Sequence, residues 1–168
     1  MNNNLIQYIF GIADNSLILG QRLGELCGHG PSIETDIALT NISLDLFGQV
    51  RSYYQYAAKL QGEEVTEDTI AFLRKERDYK NVLLVEQPNG DFAYSITRQF
   101  LFDIYHLLLL SELQNSKDET LAAIAKKSIK EVSYHTRFSS DWMKRLGDGT
   151  EESHNKVQTA VNDLWEFT

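Results

Sequence analysis

The sequence of 168 residues contains a single cysteine, only two prolines and no long hydrophobic run. The lone thiol, Cys27, excludes an internal disulfide and a metal site built from several cysteines. No apolar stretch approaches the roughly 18 residues that a membrane-spanning helix needs. The polar start of the chain, Met1–Asn4, lacks the basic region and the cleavage site of a signal peptide. These absences together predict a cytoplasmic protein that does not enter a membrane.

Basic side chains are also scarce, with 16 Lys and Arg against 24 Asp and Glu, so the formal net charge is −8. Nucleic acids and anionic membranes both bind Lys- and Arg-rich surfaces. The charge balance therefore argues against either as the main partner. Hydrophobic residues make up 42% of the chain and charged residues 24%, which is typical of a soluble globular protein of one domain.

The scarcity of proline and the spacing of apolar residues predict an all-α fold. Apolar residues recur at steps of three and four, which is the period of one helix face. The predicted helices cover residues 4–27, 32–60, 66–75, 94–115, 119–146 and 151–168. Ser32 and Thr66 are the predicted N-caps of the second and third helices. The apolar run before the Pro88–Gly90 turn is predicted to be an extended piece. Four helices of this length indicate a helical bundle.

Three polar residues interrupt the inward-facing apolar stripes of these helices. Asp103 lies on a stripe of Ile, Phe and Leu residues, His135 does the same on the fifth helix, and Asp45 is a weaker case. A buried carboxylate must be paired, protonated or bound to a metal. Two acids and a histidine on three helices therefore indicate either a metal site in the bundle or a hydrogen-bonded core cluster.

Two local pairs test the metal interpretation. Asp103 and His106 have the D-x-x-H spacing, and Glu131 precedes His135 by four residues. Carboxylate-bridged di-iron bundles instead use two Glu-x-x-His pairs, whose donors share one helix face. Glu131 lies close enough to His135 for a surface pair but about 70° from the centre of the inward stripe, so we expect it to point away from a core metal. The spacing therefore favours solvated or core-paired side chains over a metal site.

Several stretches of the sequence are similar to one family over essentially the whole chain. They are DIALTNISLDLFGQ (36–49), LLVEQPNGDFA (83–93), YHTRFS (134–139) and RLGDGT (145–150). The chain resembles the PaaC family, the structural, non-catalytic subunits of the bacterial ring-1,2-phenylacetyl-CoA epoxidase, in the ferritin-like superfamily. The resemblance implies one ferritin-like helical domain over residues 1–168. Family members continue for several further helices, so we expect this chain to lack the C-terminal helices of the family.

The resemblance also implies partners and chemistry. A homologous catalytic subunit of PaaA type holds the di-iron centre, and a reductase with FAD and an iron–sulfur cluster takes electrons from NADPH. Together with a small subunit they epoxidise the ring of phenylacetyl-CoA with O₂ in phenylacetate catabolism. The chain itself is expected to bind no cofactor and to be inactive alone, although it could form a homo-oligomer. Its net charge would repel coenzyme A, so contact with that part of the substrate would need a local basic patch.

Aligned with the catalytic subunit, the chain retains half of the six iron-ligand positions. The positions that lose their ligand are Leu17, Gly48 and Val132. The positions that keep an acid or a histidine are Asp45, Asp103 and His135. The resemblance thus implies a vestigial di-iron site. We expect its remnant to form a buried hydrogen-bonded or ion-paired cluster, completed by a cation such as Arg77.

The candidate partner-contact loop comprises Glu86, Gln87, Pro88, Asn89 and Gly90, because bundle packing alone does not require such a turn. A purely structural turn is the equal alternative. For the chain as a whole, two other functions stay open. One is a ferritin-like oxygenase or ferroxidase that binds its own metal, and the other is a stand-alone helical scaffold.

Overall fold

The computed structural model describes residues 3–168, while Met1 and Asn2 of the polar N-terminal segment lie outside the described residues. This part of the chain is all-α, as predicted, and contains no strand. Its helices are α1 (Asn3–Glu25), α2 (Ile33–Gln61), α3 (Glu67–Phe72), α4 (Leu83–Glu86), α5 (Phe92–Leu113), α6 (Glu119–Gly147) and α7 (Glu151–Leu164). Short 3₁₀ helices cover Glu76–Asp78 and Trp165–Phe167. Between residues 3 and 168, no helix is both long and apolar enough to cross a membrane.

Local signals set most of the helix ends. The Ser32 hydroxyl accepts a hydrogen bond from the Thr35 amide at the start of α2, and Thr66 and Thr69 form a reciprocal capping box at the start of α3. Both predicted caps are confirmed. The third helix is shorter than predicted, because it ends at Phe72.

The prediction of an extended piece before the Pro88–Gly90 turn is wrong, because residues Leu83–Glu86 form the one-turn helix α4. Leu84 and Val85 are both buried in the core. Neighbouring side chains of a strand point to opposite faces. A helical turn separates them by about 100°, so both can face the core.

The four long helices form two antiparallel pairs, α1 with α2 and α5 with α6, and α7 packs against α5 and α6. The crossover between the pairs, residues 62–91, contains α3 and α4. A four-helix bundle with one long crossover is the ferritin-like arrangement. Two apolar clusters fill it, one around Ile9 and Tyr53 and the other around Leu19 and Phe102.

A polar seam joins the two helix pairs along α2 and α6. We call it the α2–α6 ladder, and its rungs are Asp45–His135, Gln49–Glu131 and Tyr56–Asp118. The donor–acceptor distances are 3.0, 2.9 and 2.5 Å. As the residue number rises along α2, the number of the hydrogen-bonded residue on the α6 side falls, so the two helices are antiparallel.

A buried ion pair fixes the crossover to the bundle. Asp14 of α1 is fully buried, and its two carboxylate oxygens accept hydrogen bonds from Arg74 at 2.7 and 2.9 Å. Tyr54 of α2 donates to Asp14 at 2.6 Å, and the backbone amide of Lys80 does so at 2.8 Å. The Arg74 guanidinium also lies 4.2 Å from the ring centre of Tyr79. The Asp14 carboxylate therefore links α1 and α2 to both ends of the crossover segment 74–80.

We predict that Asp14→Ala lowers the free energy of unfolding by about 3 kcal/mol, because Arg74 and the Lys80 amide lose their buried partner. Chemical denaturation of the two proteins measures this. The control is Glu152→Ala, which removes an exposed ion pair with Lys156 and should change stability little. Equal stability of the Asp14→Ala and Glu152→Ala variants would contradict the role of this anchor.

Candidate functional site

The first element of the candidate site is a pair between α2 and α6. Nε2 of His135 lies 3.0 Å from Oδ2 of Asp45. The histidine ring is fully buried, whereas the Asp45 side chain is 38% exposed. Burial lowers the pKa of His135 more than the neighbouring Asp45 carboxylate raises it. The pair is therefore best described as a neutral imidazole that donates to an exposed carboxylate.

The next rung of the α2–α6 ladder lies one helical turn away. The buried Gln49 donates from Nε2 to Oε2 of Glu131 at 2.9 Å. Glu131 is half-buried and raises the pKa of the adjacent His135 against the effect of burial. The amide of Gln49 thus gives the Glu131 carboxylate a partner at the helix–helix seam.

Asp103 of α5 has its own partners. Its side chain is 1% exposed and accepts hydrogen bonds from Ser139 Oγ at 2.8 Å and from Gln99 Nε2 at 2.7 Å. Burial raises the pKa of Asp103 to about 8, although both hydrogen bonds act in the opposite direction. Protonation removes the cost of burying a charge without a cation. At neutral pH, Asp103 is thus favoured as the uncharged acid.

His106, the other half of the D-x-x-H pair, is also buried, at 1% exposure. Its ring packs on Phe102 with 5.2 Å between ring centres. Burial, together with the nearby His135, lowers the pKa of His106 to about 3. The D-x-x-H spacing therefore places two uncharged groups in the core.

The Glu86–Gly90 turn is held from behind by two arginines. The fully buried Arg98 donates to the Gln87 carbonyl oxygen and, at 2.7 Å, to the Asn89 side chain. Arg22 donates to the Glu86 carbonyl oxygen at 2.8 Å, and Asn89 donates back to the Arg22 carbonyl oxygen. Burial lowers the pKa of Arg98 to about 10, which leaves it cationic at neutral pH. Hydrogen bonds from Arg22 of α1 and Arg98 of α5 thus fix the conformation of this turn.

Comparisons with known proteins agree with this architecture. A sequence model of the family described as "Phenylacetic acid catabolic protein", PaaA_PaaC, matches residues 1–168. The chain belongs to this family. It is 54% identical over 166 residues to a protein of Escherichia coli (strain K12) that is named as a subunit of 1,2-phenylacetyl-CoA epoxidase. That match covers 99% of this chain and 66% of the relative, so the chain spans about two thirds of the relative's length.

The residues at the aligned ligand positions do not fit a di-iron centre. Leu17 and Val132 are buried and apolar, and Gly48 has no side chain. Di-iron bundles need bridging carboxylates from several helices. Across residues 3–168 no three His, Cys, Asp or Glu side chains come together in a way that could hold a metal. This donor set supports no iron chemistry at the centre of the bundle.

The structure brings together two of the three remnant residues and separates the third. Asp45 and His135 pair directly, while Asp103 bonds to Ser139, one turn further along α6. Arg77 is exposed and forms no ion pair in the described chain, so the expectation that it completes the cluster is wrong. Ser139 and Gln99 bond to Asp103, and Asp45 and His135 bond to each other, in place of a cation.

Sequence reasoning missed the buried arginines, Arg74 and Arg98, and their partners. The signal for the first was available, because Asp14 stands in the apolar helix α1 without a local cation. A buried acid of this kind requires a partner from elsewhere in the fold. The sequence contains no such signal for Arg98, because its partners in the Glu86–Gly90 turn are a backbone carbonyl oxygen and an amide side chain, neither of which is charged.

Asp103 predicts a pH dependence of stability. In the unfolded chain its pKa should be near 3.8 and in the folded chain about 8. Between those values the unfolded chain has lost the proton that the folded chain keeps, so this group makes stability fall as pH rises from about 4 to 8. We predict that Asp103→Asn removes this component, measured as urea midpoints across the same pH range. The exposed Asp163→Asn serves as the control, and an unchanged pH profile in Asp103→Asn would refute the assignment.

Proposed function

We propose that this chain is a non-catalytic, structural subunit of a multicomponent phenylacetyl-CoA epoxidase in aerobic phenylacetate catabolism. In this proposal it pairs with the homologous PaaA-type subunit and stabilises it, while that subunit holds the di-iron centre. The observation that supports it best is the donor set at the bundle centre. Leu17, Gly48 and Val132 offer no ligands there, and Asp45, Asp103 and His135 bond to protein partners.

The proposal gives the remnant residues a structural task. Asp45 and His135 hold α2 against α6, and Asp103 holds α5 against α6 through Ser139. The bundle thereby keeps the shape needed to pair with a homologous fold. In the proposed assembly, a reductase with FAD and an iron–sulfur cluster passes electrons from NADPH to the partner, and this chain binds none of these groups. We place the assembly in the cytoplasm, which suits the free, exposed thiol of Cys27.

The Glu86–Gly90 turn is the proposed contact with the PaaA-type subunit. Its outer side is open to solvent, because Glu86, Pro88 and Gly90 are exposed or half-buried, and Leu83 just before it is 59% exposed. Its inner side is fixed by Arg98. A rigid turn loses little conformational freedom when it binds, which favours its use in an interface.

The proposed function predicts where iron is found. The purified chain should contain no stoichiometric iron, whereas its complex with the PaaA-type subunit should contain iron and form epoxide from phenylacetyl-CoA. The variant His135→Gln should lower the stability of the chain but leave the iron content and the specific activity of the complex that does form unchanged, since it alters no iron ligand in this proposal. Elemental analysis and a product assay on folded complex test both points.

Other results would select a different function. Stoichiometric iron in the isolated chain, lost in His135→Gln, would favour an oxygenase or ferroxidase in its own right. Failure to co-purify with the PaaA-type subunit would favour a stand-alone scaffold. Either result contradicts the structural-subunit proposal.

The proposed contact turn has its own test. Pro88→Glu should weaken binding to the PaaA-type subunit, because it places a charge in the interface, without lowering the stability of the isolated chain. The matched control is Pro31→Glu in the exposed turn between α1 and α2. Titration calorimetry measures both affinities. Equal affinities for the two variants would assign the Glu86–Gly90 turn a purely structural role.

A further inference from the structure

Helix α6 carries a charge opposite to that of the rest of the chain. It contains six basic and three acidic side chains, a net charge of +3, whereas the whole chain carries −8. The remainder of the chain is therefore at −11. The six cations are all exposed, and we call them the α6 basic stripe: Lys126, Lys127, Lys130, Arg137, Lys144 and Arg145. Opposite charges four residues apart, such as Arg137 and Asp141, can pair on a helix surface, but no ion pair forms between them here.

Four of these six cations form a continuous line along the helix. Lys126, Lys130, Arg137 and Lys144 fall within about 40° of one another at 100° per residue, over about 27 Å of helix. They lie opposite the buried face that carries Val132 and His135. Two acids lie beside that outward line, Glu119 one heptad before Lys126 and Asp141 near its other end. None of the six cations forms an ion pair within residues 3–168.

An aromatic residue lies beside the middle of the line. Tyr134 is 39% exposed, and the Arg137 guanidinium lies 5.8 Å from its ring centre. Tyrosine and arginine are enriched in protein–protein interfaces, where both contribute strongly to affinity. The stripe therefore combines unpaired charge with an anchor residue typical of such interfaces.

We propose that the α6 basic stripe is a docking surface for an acidic face of the PaaA-type partner subunit, an inference that rests on the proposed function. Opposite charges across an interface accelerate association and fix its orientation. A second copy of this chain, whose other surfaces carry −11, is the competing occupant, and self-association that only the stripe variant loses would favour it instead. Nucleic acid is disfavoured by the −11 carried by the other surfaces. A small anion such as coenzyme A lacks a pocket here, since the larger cavities in the described chain are lined by other residues.

The test is a charge reversal with a matched control. The stripe variant is Lys126→Glu/Lys130→Glu/Lys144→Glu. The control variant is Lys59→Glu/Lys80→Glu/Lys117→Glu, which changes the net charge equally at three exposed lysines on other elements. The dissociation constant of each for the purified PaaA-type subunit is measured by titration calorimetry, and circular dichroism verifies that both variants fold.

The stripe variant should bind at least about tenfold more weakly than wild type, and the control within about threefold. Wild-type affinity should also fall between about 50 mM and about 300 mM NaCl, because salt screens exposed charges. Equal weakening in the two variants, or no salt dependence, would overturn this inference and leave the proposed function standing. If the wild-type chain does not bind the PaaA-type subunit at all, both proposals are wrong. Tight binding of a DNA duplex or of coenzyme A that only the stripe variant loses would reassign the stripe to that ligand.

Discussion

Each of the two acids buried in the described bundle, Asp14 and Asp103, takes a partner from another element, and these contacts connect the parts of the structure. Burying a charge without a partner costs several kcal/mol. Asp14 bonds to Arg74 from the crossover, and Asp103 bonds to Ser139 from α6. Because each partner comes from a different element, the same contacts that satisfy the side chains also set how the helices pack.

The contacts differ in how they handle charge. Asp14 is matched by a guanidinium at 2.7 Å, so charge compensates charge. Asp103 has no cation, and burial shifts its pKa until the neutral acid is favoured at neutral pH. His135 follows a third route, since a partly exposed Asp45 carboxylate takes its hydrogen bond at the surface of the seam. The strong ion pair of the described interior therefore lies where the crossover meets α1.

Helical periodicity predicted the all-α fold, the long helices and the buried positions of Asp103 and His135, because burial depends on the spacing of apolar residues along one helix. It could not predict the pairing. Whether Asp45 or Asp103 meets His135 depends on the register between helices, which is set by packing far along the chain. The same limit explains why the sequence did not predict the ion pair of Asp14 with Arg74, since these residues are 60 positions apart. The positions that lack an iron ligand are implied by the family resemblance alone, because helical periodicity carries no information about them.

The family resemblance implies that Asp103 and His135 remain from a larger ligand set, and their retention would then have a physical explanation. A metal site that loses its bridging carboxylates leaves donors in a low-dielectric interior, where each must lose its charge or gain a partner. Asp103 becomes neutral because burial outweighs the hydrogen bonds from Ser139 and Gln99, which favour its charged form, and a neutral imidazole suits His135 beside Asp45. Replacing either residue by an apolar one would orphan these neighbours and leave space in a close-packed core. The remnant residues are therefore tied to the fold by their hydrogen bonds, and their presence alone does not indicate a functioning metal centre.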